Sequence, residues 1–198
     1  MLAGERNREF VLSREDEPTY LAACPEPLQD LALLILDTGL RAGEATRLAW
    51  EDLDFEARTI SIRKGKTKNA VRVLPLTDRA LEMLKRRSEF CVDEFVFEQF
   101  CQTYWCRLHS RVRAKLGFDR DFVIHSLRHT ALTRLSAHTE VFTLCKIAGH
   151  AHVGTTQRYV HPAAESMRAA MDRLNAEALV PRLAPAPEKA KLKTAASG

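Results

Sequence analysis

Long apolar runs are missing from this chain of 198 residues. No uninterrupted stretch of about 18 apolar residues occurs, so no transmembrane helix is expected. The first ten residues, MLAGERNREF, carry charges where a secretory signal needs its apolar core. Export by that route is therefore not expected. The five cysteines, Cys24, Cys91, Cys101, Cys106 and Cys145, are odd in number and contain no CxxC pair. That excludes a disulfide framework and a zinc ribbon, and suits reduced core thiols in a cytosolic protein. HExxH is absent, and no carboxylate cluster suited to a metal-dependent nuclease is apparent. His125 and His129 stand four apart, a spacing that suits a metal pair, but no third ligand has a clear spacing to them. No metal and no other cofactor is expected. No internal repeat stands out.

Acid is also missing locally. Between Ala57 and Leu76 stand Arg58, Arg63, Lys64, Lys66, Lys68 and Arg72 without one acidic residue. Between Trp105 and Leu116 stand Arg107, Arg111, Arg113 and Lys115, again without one. The chain holds 26 acidic residues elsewhere and a net charge of only +4. The two blocks thus read as surfaces for a polyanion, with Arg63, Lys64, Lys66, Arg107 and Arg111 as the candidate contacts. Charge alone leaves DNA, RNA and acidic proteins open. With 45% apolar residues the chain can bury an ordinary core.

Periodicity and punctuation give the elements. Ser13 is placed to cap a first helix that ends near Ala23, before Pro25 and Pro27. Leu28 to Thr38 is apolar enough for a central helix, and Gly39 stops it. A third helix is expected from Arg41 to about Trp50. Thr59 to Arg63 and Ala70 to Leu74 alternate as strands around the KGKTKN turn, giving a β-hairpin. Phe95 to Phe97 reads as a short third strand. Further helices are expected at about 78–87, 102–116, 126–137, 141–148, 153–160 and 163–179. The fold class is mostly α with a small antiparallel β-hairpin or sheet (α+β). A leader over 1–12, one domain over 13–180 and a Pro, Ala and Lys-rich disordered tail over 181–198 are expected.

Five residues of three types stand where chemistry is plausible. Arg41 lies in TGLRAGE, His125 and Arg128 in IHSLRHTALT, and His150 and Tyr159 in AGHAHVGTTQRYVH. A free phenol has a pKa of about 10, so roughly one in a thousand is ionised at pH 7. Tyrosine attack on a phosphodiester therefore needs a base or a strongly polarised phosphate. Arginine's planar fork holds the charged oxygens of such a phosphate bidentately. Histidine shuttles protons near neutrality. A lysine of the KGKTKN turn can protonate the alkoxide that leaves. Each residue has a plainer reading too: Arg41 at a helix start, His125 as a helix N-cap, His150 in a core, Tyr159 as a packed aromatic.

Taken together, these boxes resemble the catalytic domain of the tyrosine recombinases, or phage integrase family, from about Val11 to Leu179. TGLRAGE resembles that family's first arginine box, HSLRHTALT its His-x-x-Arg box, and AGHAHVGTTQRYVH its closing box. The resemblance implies that fold and these roles. Tyr159 attacks DNA and forms a 3′-phosphotyrosine. Arg41 and Arg128 clamp the scissile phosphate. His125 contacts the phosphate and handles the tyrosine proton, and His150 donates to a non-bridging oxygen. Glu44 orients the site. The general acid is Lys68, with Lys66 second, because the spacing to Pro75 matches neither exactly. The SAHTEVF loop is shorter than usual in that family.

The resemblance further implies double-stranded DNA as partner and a homotetramer on DNA, from a protein that is monomeric when free. It implies no metal, no ATP and no membrane, and a cytoplasmic enzyme of a mobile element or nucleoid. Only about a dozen residues precede the catalytic domain, where the family usually carries a DNA-binding domain. Weak, salt-sensitive DNA binding is expected on that ground. The rival readings are a type IB topoisomerase, a DNA-binding remnant or accessory protein without activity, and a metal-dependent nuclease.

Overall fold

The computed structural model describes residues 10–63, 71–90, 93–160, 168, 171 and 172. The chain divides after His161 into two compact units, 1–161 and 162–198. The elements that follow belong to the first.

Helix α1 (Asp16–Ala23) is entered through Ser13, whose Oγ accepts from the Asp16 N–H at 2.9 Å. Helix α2 (Glu26–Thr38) starts two residues earlier than its apolar run suggests. Pro27 does not break it. It sits in the first turn, where a missing N–H costs nothing. Leu28, Leu31, Ala32, Leu34 and Ile35 of α2 are fully buried, which makes α2 the centre of the core. Gly39 ends it in the left-handed region, φ 68°, and a Cβ there would lie 3.1 Å from Leu132. This tight turn delivers Arg41 straight to the next element.

The expected third helix is shorter than its sequence suggests. Helix α3 covers only Ala42–Ala45. The chain then tightens through i→i+3 bonds, Arg47 N–H to Glu44 and Leu48 N–H to Ala45, and forms a 3₁₀ turn at Trp50–Asp52. The backbone around Leu48 is spoken for: Val96 N–H donates to Leu48 and Trp50 N–H to Glu94.

A three-stranded antiparallel sheet follows, in the order β1 (Leu53–Asp54), β2 (Thr59–Ile62), β3 (Arg72–Pro75). Ile60 faces Leu74 and Ile62 faces Arg72 across the hairpin. The third strand is thus Leu53–Asp54, not Phe95–Phe97 as its composition suggests. Val96 and Phe97 are buried in the core, and Phe95 makes a single bridge to Ala49. The KGKTKN turn lies outside the described residues, and with it Lys64, Lys66 and Lys68.

Helix α4 (Asp78–Ser88) is capped by Thr77, whose Oγ1 accepts from Ala80 N–H at 3.2 Å. Helices α5 (Gln102–Lys115), α6 (Ile124–Ser136) and α7 (Val141–Ala148) close the core, α6 lying along α2. The last described helix, α8, covers only Gly154–Gln157 rather than 153–160. Tyr159 and Val160 continue in i→i+3 bonds to Thr156 and Gln157, so the nucleophile candidate sits in a tight turn. The expected helix at 163–179 lies outside the described residues, except for positions 168, 171 and 172.

Two buried acids tie the helices together. Glu17 of α1 pairs with Arg79 of α4 and Arg134 of α6, and Asp30 of α2 takes Arg86 and Arg87. Of the four described cysteines, Cys24 is buried, but Cys101 is exposed and Cys106 and Cys145 are half-buried. The core assignment therefore fails for Cys101, which sits at the open start of α5. Among the described residues no helix is long and apolar enough to cross a membrane.

Candidate active site

The end of α7 collects the site. Its last two carbonyls, Ile147 and Ala148, and that of Gly149 just after it each accept from a different arginine. Arg72 Nε donates to Ile147 at 2.8 Å, Arg128 Nη2 to Ala148 at 2.6 Å, and Arg41 Nη2 to Gly149 at 3.0 Å. A helix C-terminus leaves its carbonyls unpaired and carries partial negative charge, so cations suit it. Three arginines from three distant segments are thereby brought within one helix turn of each other.

Arg41 caps α3, and Glu44 in the third helical position reaches back to it. Glu44 Oε2 accepts from the Arg41 backbone N–H at 3.0 Å, and Oε1 from Arg41 Nη1 at 2.8 Å. Arg72 approaches Glu44 from β3, with Nη2 to Oε2 at 2.9 Å and Nη1 to Oε1 at 3.2 Å. Burial alone would raise the Glu44 carboxyl. The hydrogen bonds from Arg72 and Arg41 outweigh it and hold its pKa at about 2.

Arg128 lies on the inner face of α6 and is only 2% exposed. It donates from Nη1 to Gly39 at 2.6 Å, besides its bond to Ala148. Burial and then the nearby charge of Arg41 lower its pKa to about 10, which still leaves it cationic at neutrality. His125, three residues earlier, is exposed at the rim on the same α6 face. Partial loss of solvation around the ring, then the charges of Arg128, His129, Arg158 and Arg41, push its pKa below the ordinary value. It is the second residue of α6, and Val123 rather than His125 takes the N-cap position.

His150 follows the left-handed turn at Gly149, φ 61°. Arg128 Nη2 lies 3.1 Å from His150 Nε2, and Thr156 Oγ1 lies 2.9 Å from Nδ1. Arg128 can only donate, so Nε2 holds a lone pair and Nδ1 carries the proton. Burial, then Arg128, Arg41, Arg72 and Arg158, lower the His150 pKa to about 4. In the free protein His150 is therefore expected to stay neutral as pH falls from 6.5 to about 4. Histidine ring resonances followed by NMR check this, and a transition near pH 6.5 contradicts it. The linkage has a definite sign. The unfolded imidazole takes its proton near 6.5 and the folded one near 4. Stability from this group is full above 6.5 and is lost as pH falls through that window.

Tyr159 is buried, packed with Leu132, Leu144 and Ala148. Its ring stacks on His150 at 6.4 Å between centroids and meets His129 at 5.1 Å. Arg158 lies over it at 5.7 Å.

The structure thus brings Arg41, Glu44, Arg128, His150 and Tyr159 together, with His125 beside Arg128 on α6. The polyanion contacts are more scattered. Arg107 and Arg111 are exposed on α5. Arg63 is already engaged, with Nη1 on Glu51 at 3.0 Å and Nε on Asp52 at 3.1 Å. One residue was not singled out from sequence: Arg72, counted only as part of a basic run. Strand alternation carried the signal. Arg72 shares a strand face with Leu74, which is buried, so its guanidinium had to find partners inside.

Comparison with known proteins bears on the family and the fold. The model of the phage integrase family matches residues 11–166. The chain is 34% identical over 152 residues to tyrosine recombinase XerA of Saccharolobus solfataricus, covering 75% of this chain and 50% of that protein. It is 33% identical over 181 residues to tyrosine recombinase XerC 2 of Ralstonia nicotianae, covering 82% of this chain and 52% of that one. The chain therefore spans about half the length of these relatives. In fold it is similar to the Tn1549 transposon integrase in complex with a circular intermediate DNA, with a TM-score of 0.74 at 24% identity over 87% of this chain and 68% of that one. It is also similar to the catalytic domain of bacteriophage HP1 integrase, with a TM-score of 0.63 at 21% identity over 82% of this chain and 93% of that one.

Proposed function

As the chain belongs to the phage integrase family, the tyrosine recombinases, we propose that it carries out site-specific DNA recombination through a covalent tyrosine intermediate. The observation that carries this reading is the gathering of Arg41, Arg128 and His150 at the end of α7, with Tyr159 stacked on His150.

The steps follow from charge. Arg41 and Arg128 hold the non-bridging oxygens of the scissile phosphate. Tyr159 Oη forms a bond to phosphorus, its proton passing to His125 or water, and the bond to the 5′ oxygen breaks. Lys68 gives that oxygen a proton, and the 3′-phosphotyrosine keeps the bond energy for rejoining. No external energy source is needed. His150 starts neutral, with Nε2 accepting from Arg128. A phosphate bound between the arginines engages Arg128 and adds negative charge. Both effects raise the His150 pKa, so Nε2 gains the proton it needs to donate to a phosphate oxygen. The active species is a homotetramer on double-stranded DNA formed from monomers, inside a prokaryotic cell and encoded by a mobile element or its host. Arg63, Lys64, Lys66, Arg107 and Arg111 contact the backbone.

A nicked suicide duplex bearing the target site tests the reading. The expected product is an adduct stable to SDS and unaffected by EDTA. EDTA-sensitive cutting without an adduct would instead indicate a nuclease, and binding without any cleavage would indicate an inactive remnant.

The acid is tested separately. Lys68→Ala is expected to lose about 10²-fold in cleavage of ordinary DNA, on the scale of losing a general acid. A substrate with sulfur in place of the 5′ bridging oxygen leaves as a thiolate, whose conjugate acid has a pKa of only about 8.5, and needs no acid. That substrate is expected to restore Lys68→Ala to within threefold of wild type. If Lys66→Ala shows this pattern instead, the role moves to Lys66.

A further inference from the structure

Glu44 sits between two guanidiniums that differ in what they face. Each of its carboxylate oxygens takes one hydrogen bond from Arg41 and one from Arg72. The Arg41 side chain is 39% exposed, but that of Arg72 is only 7% exposed. Arg41 is thus the arm open to a ligand, and Arg72 the anchor behind it. Arg72 also holds the Ile147 carbonyl from Nε, two residues before the carbonyl that Arg41 itself holds. β3, α3 and the end of α7 meet at this one side chain.

Gly149 records how close the approach is. A Cβ at that position would lie 2.8 Å from Arg72 Nη1 and 3.0 Å from its Cζ. The guanidinium plane is packed against the turn that aims His150, so a shift of Arg72 is felt there directly.

We propose that Arg72 is a positioning residue for the phosphate clamp: it fixes Arg41 through Glu44 and fixes the end of α7 that carries His150. This rests on the recombinase reading above. Arg72 does not touch the substrate, so its loss acts on the rate of cleavage and not on DNA affinity. Lysine keeps the charge, but one ammonium cannot give Glu44 a two-pronged bond and also bond Ile147.

Single-turnover cleavage of the nicked duplex at saturating DNA provides the test, with affinity measured alongside. Arg72→Lys is expected to slow cleavage at least tenfold while the Kd stays within threefold of wild type. Glu44→Gln is expected to do the same. Because the two share the Arg72–Glu44 contact, the double variant is expected to be slowed by clearly less than the product of the two single losses. Arg72→Gln keeps a donor for Ile147 and gives the same reading if the lysine variant melts below the assay temperature. Three results overturn the proposal while leaving the recombinase reading intact: wild-type adduct with Arg72→Lys within threefold in rate, losses that multiply in the double variant, or a loss confined to Kd. No wild-type adduct on any nicked duplex overturns both together.

Discussion

Tyr159→Phe is expected to abolish the SDS-stable adduct outright, below about a thousandth of wild type, while the protein still folds and binds DNA. The substitution removes one oxygen. The ring keeps its packing on Leu132, Leu144 and Ala148 and its stacking on His150. A melting temperature within a few degrees of wild type is therefore expected, together with a Kd within threefold. Chemistry alone should fail, because no phenylalanine atom can bond to phosphorus.

The structure sharpens this expectation by what it does with the other tyrosines. The chain has three, Tyr20, Tyr104 and Tyr159. Tyr20 is fully buried, its hydroxyl 2.7 Å from His109 Nδ1, and burial pushes its pKa far above the ordinary phenol value. It has no route to a phosphate. Tyr104 is on the surface at the start of α5, packed on Phe100 and Trp105. Tyr159 alone shares its surroundings with Arg128 and His150. Tyr104→Phe should leave the adduct at wild-type level. An adduct that survives in Tyr159→Phe would place the nucleophile elsewhere and sink the assignment.

Much of this was legible before any coordinates, and the reason differs by element. The cores of α2 and α4 to α7 follow from apolar periodicity bounded by strong punctuation: Gly39, Thr77 and Gly149 each do locally what their chemistry dictates. Arg128 and His125 share a helix face whatever the tertiary fold, because spacing decides it. Misreadings came where tertiary pairing overrode local preference. Residues 46–50 look helical, yet their backbone pairs with Glu94 and Val96. Phe95–Phe97 looks like a strand, yet it is core lining beside that pairing. The site itself was partly legible, since the chemistry of Arg41, His150 and Tyr159 is visible in residue types. What sequence could not show is the platform, three neighbouring carbonyls at the end of α7 shared among arginines from 41, 72 and 128. Nor could it show that His150 rests as an acceptor.

Arg128→Ala is the second large effect, and two losses must be kept apart. As one arm of the clamp, Arg128 stabilises charge that develops on the phosphate in the transition state. Removing one such donor from a comparable site costs about 10²-fold to 10³-fold in rate. Arg128 also satisfies the carbonyls of Gly39 and Ala148 and the Nε2 of His150. Unsatisfied buried acceptors cost about 1–3 kcal/mol each. Alanine therefore leaves a hole lined with unpaired oxygens as well as a lost cation, and its melting temperature should fall. Arg128→Lys separates the two. It keeps a cation that can serve one or two of these acceptors, so it is expected to recover much of the stability. It is still expected to lose at least about 10-fold in cleavage, because an ammonium cannot present a planar fork to phosphate. The rates must be compared at a temperature where both variants remain folded. The free His150 gives a second readout. Without Arg128 its Nε2 loses a donor and a repelling charge, so its pKa should rise above the value of about 4 that it has in the intact protein. Cleavage by Arg128→Ala within threefold of wild type, in a folded protein, would remove Arg128 from the clamp and leave it a purely structural cation.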